Sequence, residues 1–380
     1  MVNNIPPIKI GDSEFSLIQG GMGIGVSRAG LAAAVAEEGG AGVIASVALG
    51  MKYFPQILKE NELRLQKASS PEERREIRNE LWAIVNKQAL IEEIREAKRR
   101  TNGFIAVNNM HALSDYSSLI EGAVEAGANA IISGAGIPKD LVKYLVGTNI
   151  KAIPIVASAR LADMICKAWD KYGHPPDAII VEGPMAGGHL GYSYEQLADP
   201  EFVAKGLEQI VREVVEVVKG RNISVIAAGG LYYGGDIRKA VEEWGAAGVQ
   251  AATRFVTTNE CDVSPEFKDV YLNCKQEDIV IIKSPVGMPG RAIRNSFLDR
   301  VEKGETVPIA CPYHCLTRCV PEKSPYCIAR ALAEAKDGKF NYGYAFCGSN
   351  AWRNKEDGKI SVKELFEKLD EEYANGKTSL

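Results

Sequence analysis

The chain has 380 residues, 46% hydrophobic and 25% charged, enough to bury the core of one barrel of about 250–320 residues with an appendage, or of two smaller domains. Lys plus Arg number 45 against 49 Asp plus Glu, a formal charge of -4, which argues against a generic nucleic-acid surface but leaves room for a local basic pocket around a phosphorylated ligand. The N-terminal MVNNIPPIKIGDSEF has no basic segment leading into an apolar one, and no run of roughly eighteen apolar residues follows, so the expectation is a cytoplasmic protein without membrane insertion.

Short apolar runs recur along the chain, each followed by a helical pattern. In order they are FSLIQ (15–19), GVIAS (42–46), FIAVN (104–108), AIIS (130–133), IPIVA (153–157), AIIVE (178–182), SVIAA (224–228) and GVQAA (248–252). Eight strand–helix units without an obvious edge strand favour a (β/α)8 TIM barrel, an α/β fold, over an open doubly wound sheet built from the same unit. The helices end at glycine before the next strand, as in EEGGAGVI and EWGAAGVQ, where glycine reaches left-handed backbone angles without a Cβ penalty. Residues 51–100 interrupt the rhythm with a densely charged segment at helical spacing, expected to form two solvated helices inserted after strand two. The pattern changes again after about residue 260. The expected division is a barrel over 1–300, including the insertion, and a Cys-rich extension with a C-terminal helix over 301–380.

The first strand runs into QGGMGIGVS (19–27), a glycine-rich turn that matches neither a P-loop nor a strict dinucleotide fingerprint. AAGGLYYGGDI (227–237) after strand seven and QAATRF (250–255) after strand eight say more. Loops at those two places form the usual phosphate site of such barrels, with a short helix N-terminus facing the anion.

LIQGGMG, VNNM, SGAGIP, EGPMAGGHLG, VIAAGG, GVQAATRF and GMPGRAIRN occur in the order and context seen in one flavin-dependent family. The chain resembles the nitronate monooxygenases, formerly called 2-nitropropane dioxygenases, together with the flavin-dependent enoyl-acyl carrier protein reductases, over residues 10–300. The resemblance implies FMN at the barrel mouth. It places Gly21, Met22 and Gly23 at the isoalloxazine edge, Asn108 near the ring or ribityl chain, and Gly188 in the cofactor site. Gly229, Gly230, Gln250, Ala252 and Thr253 would surround the phosphate. It implies a small-molecule substrate, leaves NADH or NADPH open as electron donor, and suggests a homodimer.

His189 follows strand six between glycines, where a barrel projects catalytic groups, and imidazole exchanges protons near neutral pH. The resemblance puts this histidine beside flavin and substrate, as a base or as a positioning group. One departure is Met185, where the related motif often carries an acidic residue. His111 is read as a pocket or loop-packing residue, and Arg254 as a phosphate support or a surface ion pair.

Five of eight cysteines lie between 311 and 347. Cys311, Cys315, Cys319 and Cys327 in CPYHCLTRCVPEKSPYC are candidate metal ligands, for an iron–sulfur cluster such as [4Fe-4S] or for zinc. The alternative is a metal-free buried face or thiol chemistry. The tail NKEDGKISVKELFEKL looks like a calcium loop until Arg353 and Lys355 fall at ligand positions, which excludes it. Three functions fit these readings: an FMN-dependent oxidoreductase of the nitronate monooxygenase kind, a flavin-dependent enoyl thioester reductase, and a flavin/metal electron-transfer subunit.

Overall fold

A computed structural model describes residues 3–309 and 311–380. A short antiparallel hairpin, β1 (Ile8–Ile10) and β2 (Ser13–Phe15), opens the chain. The barrel strands then begin: β3 (Ile18–Gln19), β4 (Ala41–Ala45), β5 (Phe104–Asn108), β6 (Ala130–Ser133), β7 (Lys151–Val156) and β8 (Ala178–Glu182). After the two-residue β9 (Gly188–His189), which lies outside the barrel, β10 (Ser224–Ala228) and β11 (Gly248–Ala251) complete it. All eight barrel strands are parallel, and β11 closes on β3 with Gln250 opposite Ile18 and Ala251 opposite Gln19. Each overlaps one of the eight apolar runs, because strands buried on both faces need no polar alternation, although the first is only Ile18–Gln19, with Phe15 of that run in the hairpin.

Ile18, Val43, Ile132, Ile153, Ile180 and Ile226 fill the barrel interior, and Ile8, Ile10 and Phe15 of the hairpin plug it from below. Glycine at 248 makes room for that plug, since a Cβ there would stand 2.2 Å from the Ile8 Cγ1.

Around the barrel run α1 (Ala29–Glu37), α2 (Phe54–Glu60), α3 (Glu62–Lys67), α4 (Pro71–Arg100), α5 (Tyr116–Glu125), α6 (Ala159–Asp170), α7 (Tyr194–Ala198), α8 (Pro200–Val217) and α9 (Gly234–Glu242). The charged segment 51–100 forms three helices rather than two, and the last is not simply solvated. In α4, Leu81, Val85, Ala89, Ile94 and Ala97 are buried, and its C-terminal half packs on α1 and α5. Its charges occupy the opposite face, so composition concealed an apolar stripe.

Residues beyond 260 are woven into the mouth. After α10 (Pro265–Asn273), strands β12 (Ile279–Lys283) and β13 (Pro289–Ile293) form a hairpin that captures β9, pairing Gly290 with His189. Then come α11 (Ser296–Glu302), α12 (Ile328–Lys336) and α13 (Val362–Asn375). Helix α13 starts at a Ser361/Glu364 capping box, buries Leu365, Phe366 and Leu369, and packs against α9 and α1. No helix of the described residues is long and apolar enough to cross a membrane.

Candidate active site

A cavity of about 330 Å³ opens at the C-terminal ends of the barrel strands. Gly21, Met22 and Gly23 after β3, Asn108 at the end of β5, and Gly188 with His189 all line it. The turn glycines are there for close approach: a Cβ on Gly21 would stand 2.4 Å from the Asn108 Cβ, and one on Gly23 2.2 Å from the Val47 Cγ1.

His189 is held as a strand residue, and its loop is tied down by Arg291, which is buried and donates to the carbonyls of Pro184, at 2.8 Å, and Ala186. The His189 Nε2 lies 2.8 Å from the Ser284 Oγ, and the ring meets Phe346 edge-on with centroids 5.0 Å apart. Burial pushes the imidazole down to about 4, so it is neutral at physiological pH and acts through hydrogen bonds.

Glu182, the last residue of β8, lines the same cavity, and burial pushes its carboxyl up to about 7. Sequence reasoning passed over it as the end of the AIIVE run, although a strand's C-terminal residue in a barrel is where reactive groups project.

Beside this cavity, Gly229 and Gly230 adopt φ of 95° and 87°. A Cβ on Gly230 would come within 2.7 Å of the Met185 Cβ, so the residue that departs from the acidic pattern packs against this loop. Ala252 lies close enough to Gly20 that a Cβ on the glycine would meet its methyl at 3.0 Å. A distant segment completes the wall. The Gly348 N–H donates to the Thr253 Oγ1 at 3.2 Å, the Ser349 N–H to the Met185 carbonyl at 3.1 Å, and the Asn350 Nδ2 to the Gly230 carbonyl at 2.7 Å. The Gln250 Oε1 and the Ser349 Oγ are buried without a hydrogen-bond partner among the described residues. Orphaned buried polar atoms cost free energy unless a ligand or water completes them; the Ser349 hydroxyl can donate to a phosphate at this position in a barrel, and the Gln250 Oε1, an acceptor, fits a hydroxyl or N–H of the same phosphate-bearing group.

The start of the helix after strand seven is closed by the protein itself. Its first amides are taken by the protein's own acceptors: those of Tyr232 and Tyr233 by Asp236, at 2.8 and 2.9 Å, and that of Gly234 by Glu372 at 3.0 Å. Arg254 is not a surface ion pair, and it donates to the Tyr232 carbonyl in the loop after strand seven at 3.2 Å. It is buried between Asp357 and Glu372, at 2.6 and 2.7 Å, and this pairing holds the guanidinium charged. His111 packs on Tyr116 and pairs with Asp140 at 3.5 Å.

Cys315 is buried and lines the cavity, while Cys311, Cys319 and Cys327 are half-buried. Among the described residues, no group of three or more His, Cys, Asp and Glu side chains is placed to hold a metal ion. Cys347 stands apart from this set, buried near Cys274 and Tyr271.

A closed parallel barrel with glycine loops after its last two strands, and a neutral histidine and a raised carboxyl at its mouth, defines a (β/α)8 protein with a preformed cofactor-type pocket. The family model described as nitronate monooxygenase matches residues 6–372, and the chain belongs to that family. Among curated proteins it is 27% identical over 291 residues to the (3aS,4S,5R,7aS)-5-hydroxy-7a-methyl-1-oxo-octahydro-1H-indene-4-carboxyl-CoA dehydrogenase of Mycobacterium tuberculosis, covering 77% of this chain and 66% of that protein. It is 34% identical over 171 residues to a probable nitronate monooxygenase of Staphylococcus aureus strain MSSA476, covering 45% of each. Both matches span less than two thirds of the relative's own length. Among solved structures, FabK from Thermotoga maritima superposes with a TM-score of 0.68 at 25% identity over 95% of this chain and 93% of that one. Nitroalkane oxidase from Streptomyces ansochromogenes shares the fold, with a TM-score of 0.67 at 21% identity over 95% and 96% of the two chains.

Proposed function

We propose that this protein is an FMN-dependent oxidoreductase of the nitronate monooxygenase kind, acting on a small organic substrate with NADH or NADPH as a candidate electron donor. The observation that carries the reading is the pair of buried, unpartnered oxygens, Gln250 Oε1 and Ser349 Oγ, beside Gly230 and Thr253. Bound there, FMN supplies the electron transfer that side chains cannot perform. Gly229, Gly230, Gln250, Ala252, Thr253 and Ser349 hold the phosphate. Gly21, Met22, Gly23, Asn108 and Gly188 admit the ring system.

His189, neutral and fixed by Ser284, orients the substrate through a hydrogen bond rather than as a strong base. Glu182 exchanges a proton near pH 7 in the same cavity. The four-cysteine segment belongs to this reading as a metal centre beside the flavin.

A second reading, an acyl thioester as substrate, is favoured by the name of the M. tuberculosis relative, a carboxyl-CoA dehydrogenase. Apolar walls from Ile155, Leu161, Ile328 and Leu332 suit an acyl chain. Anaerobic mixing of the flavin-loaded protein with NADH, NADPH, an alkyl nitronate and an acyl-CoA ester separates the two. Bleaching of the flavin by nitronate supports the first, and redox exchange with the thioester supports the second. A flavin inert to all four reagents would refute both.

A further inference from the structure

We propose that Cys311, Cys315, Cys319 and Cys327 hold an iron–sulfur cluster of the [4Fe-4S] type on the wall of the active-site cavity, and that a single zinc ion does not occupy them. All six pairings of these four thiols lie within electrostatic reach, each sulfur feeling the other three. Yet no three are gathered around one point as a single ion requires. Zinc draws four sulfurs to about 2.3 Å from its centre. A four-iron cluster binds each thiolate to a different iron, so its ligands stand further apart while still surrounding one volume.

The neighbourhood points the same way. Across the described residues, five buried side-chain atoms lack a hydrogen-bond partner, and the three outside the phosphate wall are the Arg78 Nε, the Asn79 Oδ1 and the Trp82 Nε1, all on α4. Trp82 is 1% exposed and belongs to the apolar cluster that contains Cys315 and is packed against by Cys327. Its ring lies 5.0 Å from that of Tyr313, inside the cysteine motif. His314, also inside the motif, feels the charges of Arg75 and Arg78. The Arg78 Nε and the Trp82 Nε1 are unpartnered N–H donors on the helix that packs against the cysteine segment, the setting that stabilises an anionic cluster and tunes its potential.

Cys315, Leu316, Ile328 and Ala329 line the cavity that Gly21 and His189 also line. A cluster there takes up or gives one electron at a time, so a two-electron change at the flavin needs two passages, each matched by a one-electron change in an external carrier protein. That role rests on the flavin reading, whereas the metal site does not.

The test is iron, acid-labile sulfide, zinc and FMN content of the full chain purified without oxygen, alongside C319S, C327S and, as a control outside the motif, C166A. About four iron and four sulfide per chain are expected, falling by at least half in C319S and C327S and unchanged in C166A. Stoichiometric zinc without sulfide, or no iron after anaerobic reconstitution with ferrous ion and sulfide, would overturn the proposal. Should the serine variants fail to fold, the wild-type stoichiometry and its Mössbauer spectrum decide alone. Iron with sulfide but no FMN would remove the flavin reading and leave the cluster; FMN without iron would do the reverse.

Discussion

The two flanks of the barrel mouth are finished in opposite ways. Behind β10 and β11, the C-terminal segment and the barrel loops partner one another's buried charges. Arg254 lies between Asp357 and Glu372, Glu372 also accepts the Gly234 amide, and Asp236 takes the amides of Tyr232, Tyr233 and Ser379. On the other flank, α4 meets the cysteine segment through apolar and aromatic contacts, leaving three buried polar atoms and four thiols unanswered. The first flank is completed by its own chain. The second, and the small wall at Gln250 and Ser349, are shaped to be completed by something bound.

The comparison breaks most visibly at Arg254. R254A removes the buried guanidinium from Asp357 and Glu372, leaving them only Lys368, Lys377 and the Gly234 amide, and a loss of about 3 kcal/mol is expected in denaturant unfolding. A loss below about 1 kcal/mol would mean that the clamp is a surface-like ion pair.

At the unfinished wall, S349A removes one donor to the proposed phosphate. It should weaken FMN binding about tenfold, roughly 1.4 kcal/mol, in a fluorescence titration. Unchanged affinity would place the phosphate elsewhere.

The two titratable groups of the cavity predict a pH profile. Glu182 is raised to about 7 and keeps its proton below that value, so turnover that uses it as a donor falls as pH rises through about 7. E182Q should lose that inflection. His189, lowered to about 4, stays neutral between about pH 5 and 9, so H189A should scale the rate without moving the profile. Stability has the same sign for Glu182. The native state holds this proton more tightly than the unfolded chain, so stability declines as pH rises from about 4.5 to about 7.

The smallest expected effect is at the start of α13, where S361A removes a capping box and should cost about 1 kcal/mol without altering cofactor content.

The barrel was legible because each strand is a short apolar run bounded by turn residues, a local signal. Gly21, Asn108 and Gly188 were placed by the family resemblance of their motifs, and His189 by that resemblance together with its position after strand six; the structure brings all four to one cavity. What escaped were long-range matters. Ser349 reaches the wall beside Thr253 from nearly a hundred residues away, and Glu372 takes an α9 amide 138 residues upstream. Periodicity within a window carries no trace of either. The inner stripe of α4 was hidden by its abundance of charge, and Glu182 by its place at the end of an apolar strand.

The central claim is that the mouth holds FMN by its phosphate, and the most direct measurement compares FMN with riboflavin for binding to flavin-stripped protein by calorimetry. About one FMN per chain, with riboflavin weaker by on the order of a hundredfold, is the predicted result, since charge-assisted hydrogen bonds to the phosphate would be missing. Equal affinity for the two, or no binding of either, would contradict it.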